Sequence, residues 1–261
     1  MNNLNINEIK KRDLDKCAFA LYFLPNTVFY NYGDDYIKER KIYSLFLCNI
    51  KGVRKYITSI FYDDYTKTSN WYDLFQMWKK KGLECLLYCV MPNDNNIKDA
   101  IALSFSECKC LISPFETIFK ISKYFSCSYT ANISETFRKL FIANSIDDFN
   151  FKKKDFIEYS SNFPYIKDLI ESDLVTASKI MNMPFLLRKN IFSFYFMRDN
   201  IKRIATLSRT KSHFDSLLDL EILFVPFVIS IEKYMYCPKK EWNEVLSIIY
   251  SDNKDLIIKY L

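Results

Sequence analysis

Glycine is scarce in this chain: Gly33, Gly52 and Gly82 are the only three among 261 residues. No GxGxxG or GxxxxGK loop can be assembled from them, which excludes the nucleotide-binding enzymes that cradle phosphate on such loops. Histidine is scarcer still, with His213 alone, and the eight cysteines contain no CxxC pair. Zinc therefore lacks ligands at usable spacing. No uncharged apolar run reaches the ~18 residues of a membrane-spanning helix. Leu217 to Ile231 comes nearest, and Asp219 and Glu221 interrupt it. No signal peptide is recognisable, and cysteines without a disulfide framework fit a reducing compartment. The expectation is a soluble, cytoplasmic protein without a membrane partner, its free thiols buried.

What is plentiful is apolar and aromatic. Hydrophobic residues make up 49% of the chain and aromatics 17%, enough to build a core and to exclude disorder. The length fits one large domain, or one domain with a sizeable insertion. Lysine and arginine outnumber acids by 37 to 31, a net charge of +6 that permits an anionic partner without requiring one. Cys108 and Cys110 alternate on an expected strand, as do Cys85 and Cys89, so each pair should point to one face.

The first half reads as three strands. Cys17 to Phe23 is β-prone, a turn at Pro25-Asn26 leads into Thr27 to Tyr30, and Asn31-Tyr32-Gly33-Asp34-Asp35 signals a second turn. Lys41 to Ile50 and Lys55 to Tyr62 then flank a Lys51-Gly52 hairpin. A helix follows, capped by Asn70, with a core stripe of Trp71, Leu74, Phe75 and Trp78, lysines in its last turn and Gly82 as its stop. Glu84 to Met91 has the length and composition of a strand buried on both faces. After the loop Pro92 to Asn96 come a short helix (Ile97, Ala100, Ile101, Phe105) and a strand, Glu107 to Ile112. Helical periods dominate from Pro114 onward, broken by a polar stretch from Asn144 to Asp155. The order β-β-β-α-β-α-β predicts an α/β fold, a three-strand meander extended by crossover strands.

Taken in order, several segments resemble the catalytic region of Mutator-type transposases of bacterial insertion sequences. They are Trp71 to Phe105, Phe137 to Phe149, Met183 to Phe196, the RTKSHF segment Arg209 to Phe214, and Lys239 to Tyr250, collinear from about Asp13 to Asp252. The resemblance implies a ribonuclease H-like mixed sheet over residues 1–112, a helical insertion over 113–186, and C-terminal helices over 187–261 that complete the core. It implies DNA strand transfer by two metal ions held on two aspartates and a glutamate. Mg²⁺ needs those carboxylates because it prefers oxygen ligands in near-octahedral geometry.

At the positions where the family carries its acids, this chain has Leu24 on the first strand, Met91 after the buried fourth strand and Arg198 on the late helix. Ser113 and Glu116 stand where the family often carries a cysteine and a histidine. Two neutral side chains and a cation hold no divalent metal, so no cofactor and no catalytic residue are expected. The family's N-terminal helical DNA-binding region is also expected to be missing, since about a dozen residues precede the first strand.

The expected function is that of a transposase-like pseudoenzyme of DNA transposition and recombination, retaining DNA binding, self-association or pairing with an active transposase. Its nucleic-acid contacts would be Arg198, Lys202 and Arg209, aligned at i, i+4 and i+11 on one helix face, flanked by Arg203, Lys211 and His213. DNA binding would make the protein nucleoid-associated. The alternatives are a divergent Mg²⁺-dependent strand-transferase or nuclease using Asp94 and Asp199, and a pure protein-interaction module whose exposed aromatics bind another chain. Phe192, Phe194, Tyr195 and Phe196 are read as core packing ahead of base stacking.

Overall fold

The first strand is longer than its sequence suggests. The computed structural model describes residues 2–33, 36–124, 127–161, 170, 174–175, 177–192, 206, 210–232, 234–237 and 239–260. Within it β1 runs unbroken from Cys17 to Asn31, through the Pro25-Asn26 pair expected to turn. Pro25 lies opposite Tyr43 of β2 (Ile37–Asn49), while pairing to β4 (Cys85–Met91) ends at Tyr22. At Pro25 the strand thus has a partner on one side only, the setting in which a strand tolerates a missing N–H. The hairpin at Lys51-Gly52 forms as expected, joining β2 to β3 (Arg54–Phe61). With β5 (Lys109–Ile112) the sheet has the order β3-β2-β1-β4-β5. β2 runs antiparallel to both of its neighbours, whereas β1, β4 and β5 are mutually parallel.

The sheet is covered on both faces. One apolar layer is α2 (Thr68–Lys80) and α3 (Asn95–Ser104), whose Trp71, Leu74, Phe75, Trp78, Ile97, Ala100 and Ile101 are all buried against Leu21, Phe23 and Leu45. The helix stripe read from spacing is therefore the real one. The Asn70 cap is not: Lys67 occupies the cap position without a side-chain bond, and Asn70 falls inside the first turn.

The other layer gathers the remaining helices. They are α1 (Asn2–Lys11), α4 (Pro114–Tyr124), α5 (Cys127–Phe141), α6 (Ile146–Ser160), α7 (Phe185–Ile191), α8 (Leu217–Glu232) and α9 (Lys239–Asp252), with α10 (Lys254–Tyr260) at the end of the chain. α6 occupies most of the stretch read as a polar separator. Ser145 caps it by accepting from the Asp148 N–H, and Phe149 and Phe156, two turns apart, supply its buried face. Ile6 and Ile9 are the buried apolar residues of α1 among those described. Arg188 of α7 is a structural arginine. Buried, it donates to the carbonyls of Phe141, Ala143 and Met183 at 2.8–3.0 Å, which satisfies the open C-terminal end of α5.

Alternation slips by one residue in the middle of the sheet. β1 is bulged between Ala18 and Ala20, and Phe19 and Ala20 pack into the same apolar layer. Leu87 and Tyr88, beside them on β4, do likewise. As a result Cys85 joins one layer and Cys89 the other, against the expectation that both share a face.

Gly52 ties the β2–β3 turn to the C-terminal segment. Its φ is +78°, and a Cβ built there would lie 2.8 Å from the indole of Trp242, whose Nε1 donates to the Ile50 carbonyl at 3.0 Å. Next to it, Cys237 N–H donates to Gly52 O and Arg54 N–H to Met235 O. The C-terminal segment is thereby stitched to the β2–β3 turn. Gly52→Ala combines a disfavoured backbone conformation with overpacking, and should cost roughly 2–4 kcal/mol. A urea-denaturation midpoint unchanged from wild type would contradict this packing.

Candidate cleft at the ends of β4 and β5

In open α/β sheets ligands are received outside the carboxyl ends of parallel strands. This sheet carries a cavity of about 230 Å³ at that place, lined by Lys41 and Tyr43 of β2, Tyr62 after β3, Pro92 to Asp94 after β4, and Ile112, Glu116, Thr117 and Lys120 around the end of β5.

Glu116 is its centre. Ser113-Pro114-Phe115-Glu116 has the spacing of a capping box, with proline at the first helical position. The serine acts as a simple cap: Ser113 Oγ accepts from the Phe115 N–H at 3.3 Å. The return bond of the box does not form, and the Ser113 N–H is spent on Met91 O at 2.7 Å. Glu116, only 6% exposed, turns into the cavity instead. There Lys41 Nζ lies 2.5 Å from its Oε1, Tyr43 Oη donates to its Oε2 at 3.0 Å, and Lys120 Nζ stands 3.9 Å away. The Lys41 ammonium also sits over the rings of Tyr43 and Tyr62, 4.8 and 5.0 Å from their centroids.

Asp94 is committed as well. Its Oδ1 accepts from the Asn96 N–H and caps α3, while its Oδ2 accepts from Tyr62 Oη at 2.6 Å. Burial, and then the Glu116 charge, pushes the Tyr43 phenol far above its ordinary range. Burial and the bond to Asp94 do the same to Tyr62. Both tyrosines therefore remain protonated donors. Two ammoniums, two carboxylates and two phenols make a cleft that is charge-balanced and internally satisfied. Among the described residues no group of three or more His, Cys, Asp or Glu side chains is placed to hold a metal ion.

Leu24 and Met91 are buried in the apolar layers, at 0% and 3% exposure. They do not converge: Leu24 packs with the α1/α4–α9 layer and Met91 with the α2/α3 layer. The register Tyr22↔Val90 places Met91 level with Phe23 and leaves Leu24 level with Pro92. A shift of one residue at either position restores no acid, since the neighbours are Phe23, Pro25, Val90 and Pro92. Neither Leu24 nor Met91 offers an oxygen ligand of the kind Mg²⁺ prefers.

Arg198, Lys202, Arg203 and Arg209, along with Asp199, Phe194, Tyr195 and Phe196, lie outside the described residues. Phe192 is core, 5.3 Å from Phe141. Lys211 and His213 are described and lie beside the β1–β2 hairpin. Lys211 Nζ is 3.8 Å from Asp219, and His213 contacts Ser212 Oγ and Asp215. Between them and Asp215, Phe214 is fully buried and adds a short parallel bridge to β1 at Tyr30. Lys41, Tyr43, Tyr62 and Lys120 went unnoticed in the sequence. The usable signals were the diverted capping box and the i, i+2 placement of Lys41 and Tyr43 on one strand face.

Truncating Glu116 to alanine leaves the Lys41 ammonium and the Tyr43 hydroxyl without their shared acceptor, at an expected cost of about 2–4 kcal/mol. Paired with Lys41→Met in a double-mutant cycle, it should show coupling of about 1–3 kcal/mol. Additive effects would mean that the ion pair contributes nothing.

No curated protein matches this chain. The family model described as Transposase, Mutator family, matches residues 3–216, from α1 through the five strands, α4 to α7 and the RTKSHF segment. The collinear segments, the five-strand mixed sheet and this match over most of the chain agree: the protein belongs to the Mutator family of transposases.

Proposed function

We propose that this chain is a transposase relative with a ribonuclease H-like core that has lost strand-transfer chemistry. What it retains is DNA binding, or pairing with an active transposase subunit whose place it occupies without cutting. The observation that carries the proposal is the apolar burial of Leu24. The strand that would offer the first metal-binding carboxylate instead fills the core with a leucine, and no neighbouring residue compensates. The strand order, with only β2 reversed, supports the ribonuclease H-like core. The commitment of Asp94 to capping α3 weakens the reading in which it serves as a shifted catalytic acid.

Family membership makes DNA the natural partner, and the basic residues Arg198, Lys202, Arg203 and Arg209, with Lys211 and His213 close behind them in sequence, are the proposed phosphate contacts. A cation at position 198 would place a fixed positive charge where metal ions act in active relatives. It would grip phosphate and leave the diester intact.

Two measurements test this. Incubated with supercoiled plasmid across a range of Mg²⁺ and Mn²⁺ concentrations, the protein should leave nicking at the buffer level; nicking abolished by Asp94→Asn would restore the enzyme reading. In fluorescence-anisotropy titrations with duplex DNA, Arg198→Glu should weaken binding and lower the salt slope by about one. Wild-type protein that fails to bind at low salt would overturn the DNA-binding half of the proposal.

A further inference from the structure

Cysteines in this fold occur as neighbours. Cys17 and Cys85 are register partners on β1 and β4, and Cys89 and Cys110 are register partners on β4 and β5. Cys108 stands two residues before Cys110, and both pack on the α2/α3 layer beside the buried Cys89. Burial separates these groups. Cys17, Cys48, Cys85, Cys89 and Cys237 are all buried, whereas Cys108 and Cys110 are partly exposed. Cys110 lies on β5, a four-residue strand at the edge of the sheet with a neighbour on one side only, and Cys108 stands in the connection just before it.

From this placement we infer that Cys108 and Cys110 form an oxidisable dithiol, a redox modification site in which a hydroperoxide converts the two thiols to an intramolecular disulfide. Neither the proposed DNA binding nor the lost metal chemistry is needed for it. The roles of the two sulfurs follow from their surroundings. The neighbouring Cys108 thiol, more than the Lys98 ammonium on α3, brings Cys110 below the usual thiol range against the penalty of burial. The same pairing and burial push Cys108 up. Cys110 is thus the attacking thiolate and Cys108 the resolving thiol.

In the first step the Cys110 thiolate attacks the distal peroxide oxygen. An S–O bond forms, the O–O bond breaks, and the alkoxide or hydroxide that leaves takes up a proton. In the second, the Cys108 sulfur, its proton lost to water, attacks the sulfenic sulfur and expels hydroxide, which is protonated to water. Two thiols have lost two electrons and two protons. The peroxide has gained them as one alcohol, or water, and one further water.

The site lies just upstream of Ser113 and Glu116, so the new bond would fix the short segment that leads from α3 into the cleft wall. Lys109 between the two cysteines makes the product easy to read. After limited hydrogen peroxide treatment of the full chain, alkylation and trypsin digestion without reductant, peptides 99–109 and 110–120 should appear joined by a disulfide, or as an uncut 99–120 species lighter by two hydrogens. Either form should disappear on reduction. In Cys108→Ser protein the sulfenic acid at Cys110 should be trapped by dimedone. The inference is overturned if Cys110 instead links to Cys89, or if the buried thiols oxidise before Cys108 and Cys110 in the wild-type chain. The wild-type map alone decides the matter if a variant fails to fold.

Discussion

Burial of β1 on both faces is the constraint on which the rest of the molecule depends. From Cys17 to Asn26 every residue of this strand is shielded, between the α2/α3 layer on one side and the larger helical layer on the other. Such a strand can carry a charge only if a partner compensates it, because an isolated buried carboxylate costs more than packing returns. Here the residues facing each layer from Ala18 to Pro25 are aromatic and aliphatic, and Leu24 contributes to the same core as Phe19, Tyr22 and Trp242.

The polar side of the balance has moved to the rim. Glu116 and Asp94 sit at the carboxyl ends of the parallel strands, where a cleft is expected, but each is bound to groups of the same chain. Lys41 neutralises Glu116, the Asn96 N–H and Tyr62 satisfy Asp94, and the two phenols stay protonated. A divalent cation entering the cleft would have to displace an ammonium already placed over two aromatic rings. The arrangement resembles a staple between β2 and α4 more closely than an open ligand site.

Much of the architecture was legible in the residues. Trp71, Leu74, Phe75 and Trp78 gave α2, the continuous apolar run gave β4, and Gly52 gave the β2–β3 turn, because in each case the signal is local: helical spacing, strand length, or a positive φ. The failures have one cause in common. Pro25 read as a break because its tolerance depends on where β4 stops pairing. The Asn144-to-Asp155 stretch read as a polar separator because only one of the two buried phenylalanines of α6, Phe149, falls within it, among acids and lysines. Cys85 and Cys89 were placed on one face because the bulge at Phe19 that shifts alternation on the neighbouring strand leaves no mark on β4 itself.

The sequence by itself determined the family: collinear segments are properties of the chain, whatever its coordinates, and so are the identities Leu24, Met91 and Arg198 at the positions where acids were expected. Only the tertiary structure decided what the remaining polar residues do. Glu116 looked like one half of a capping box, and became the centre of an ion pair, with the Ser113 N–H taken by Met91. Leu24 and Met91 looked like two members of one site, and ended in opposite layers because side-chain direction on a strand follows register. Which carboxylate meets which cation is fixed by packing between elements far apart in the chain, and no local pattern encodes it.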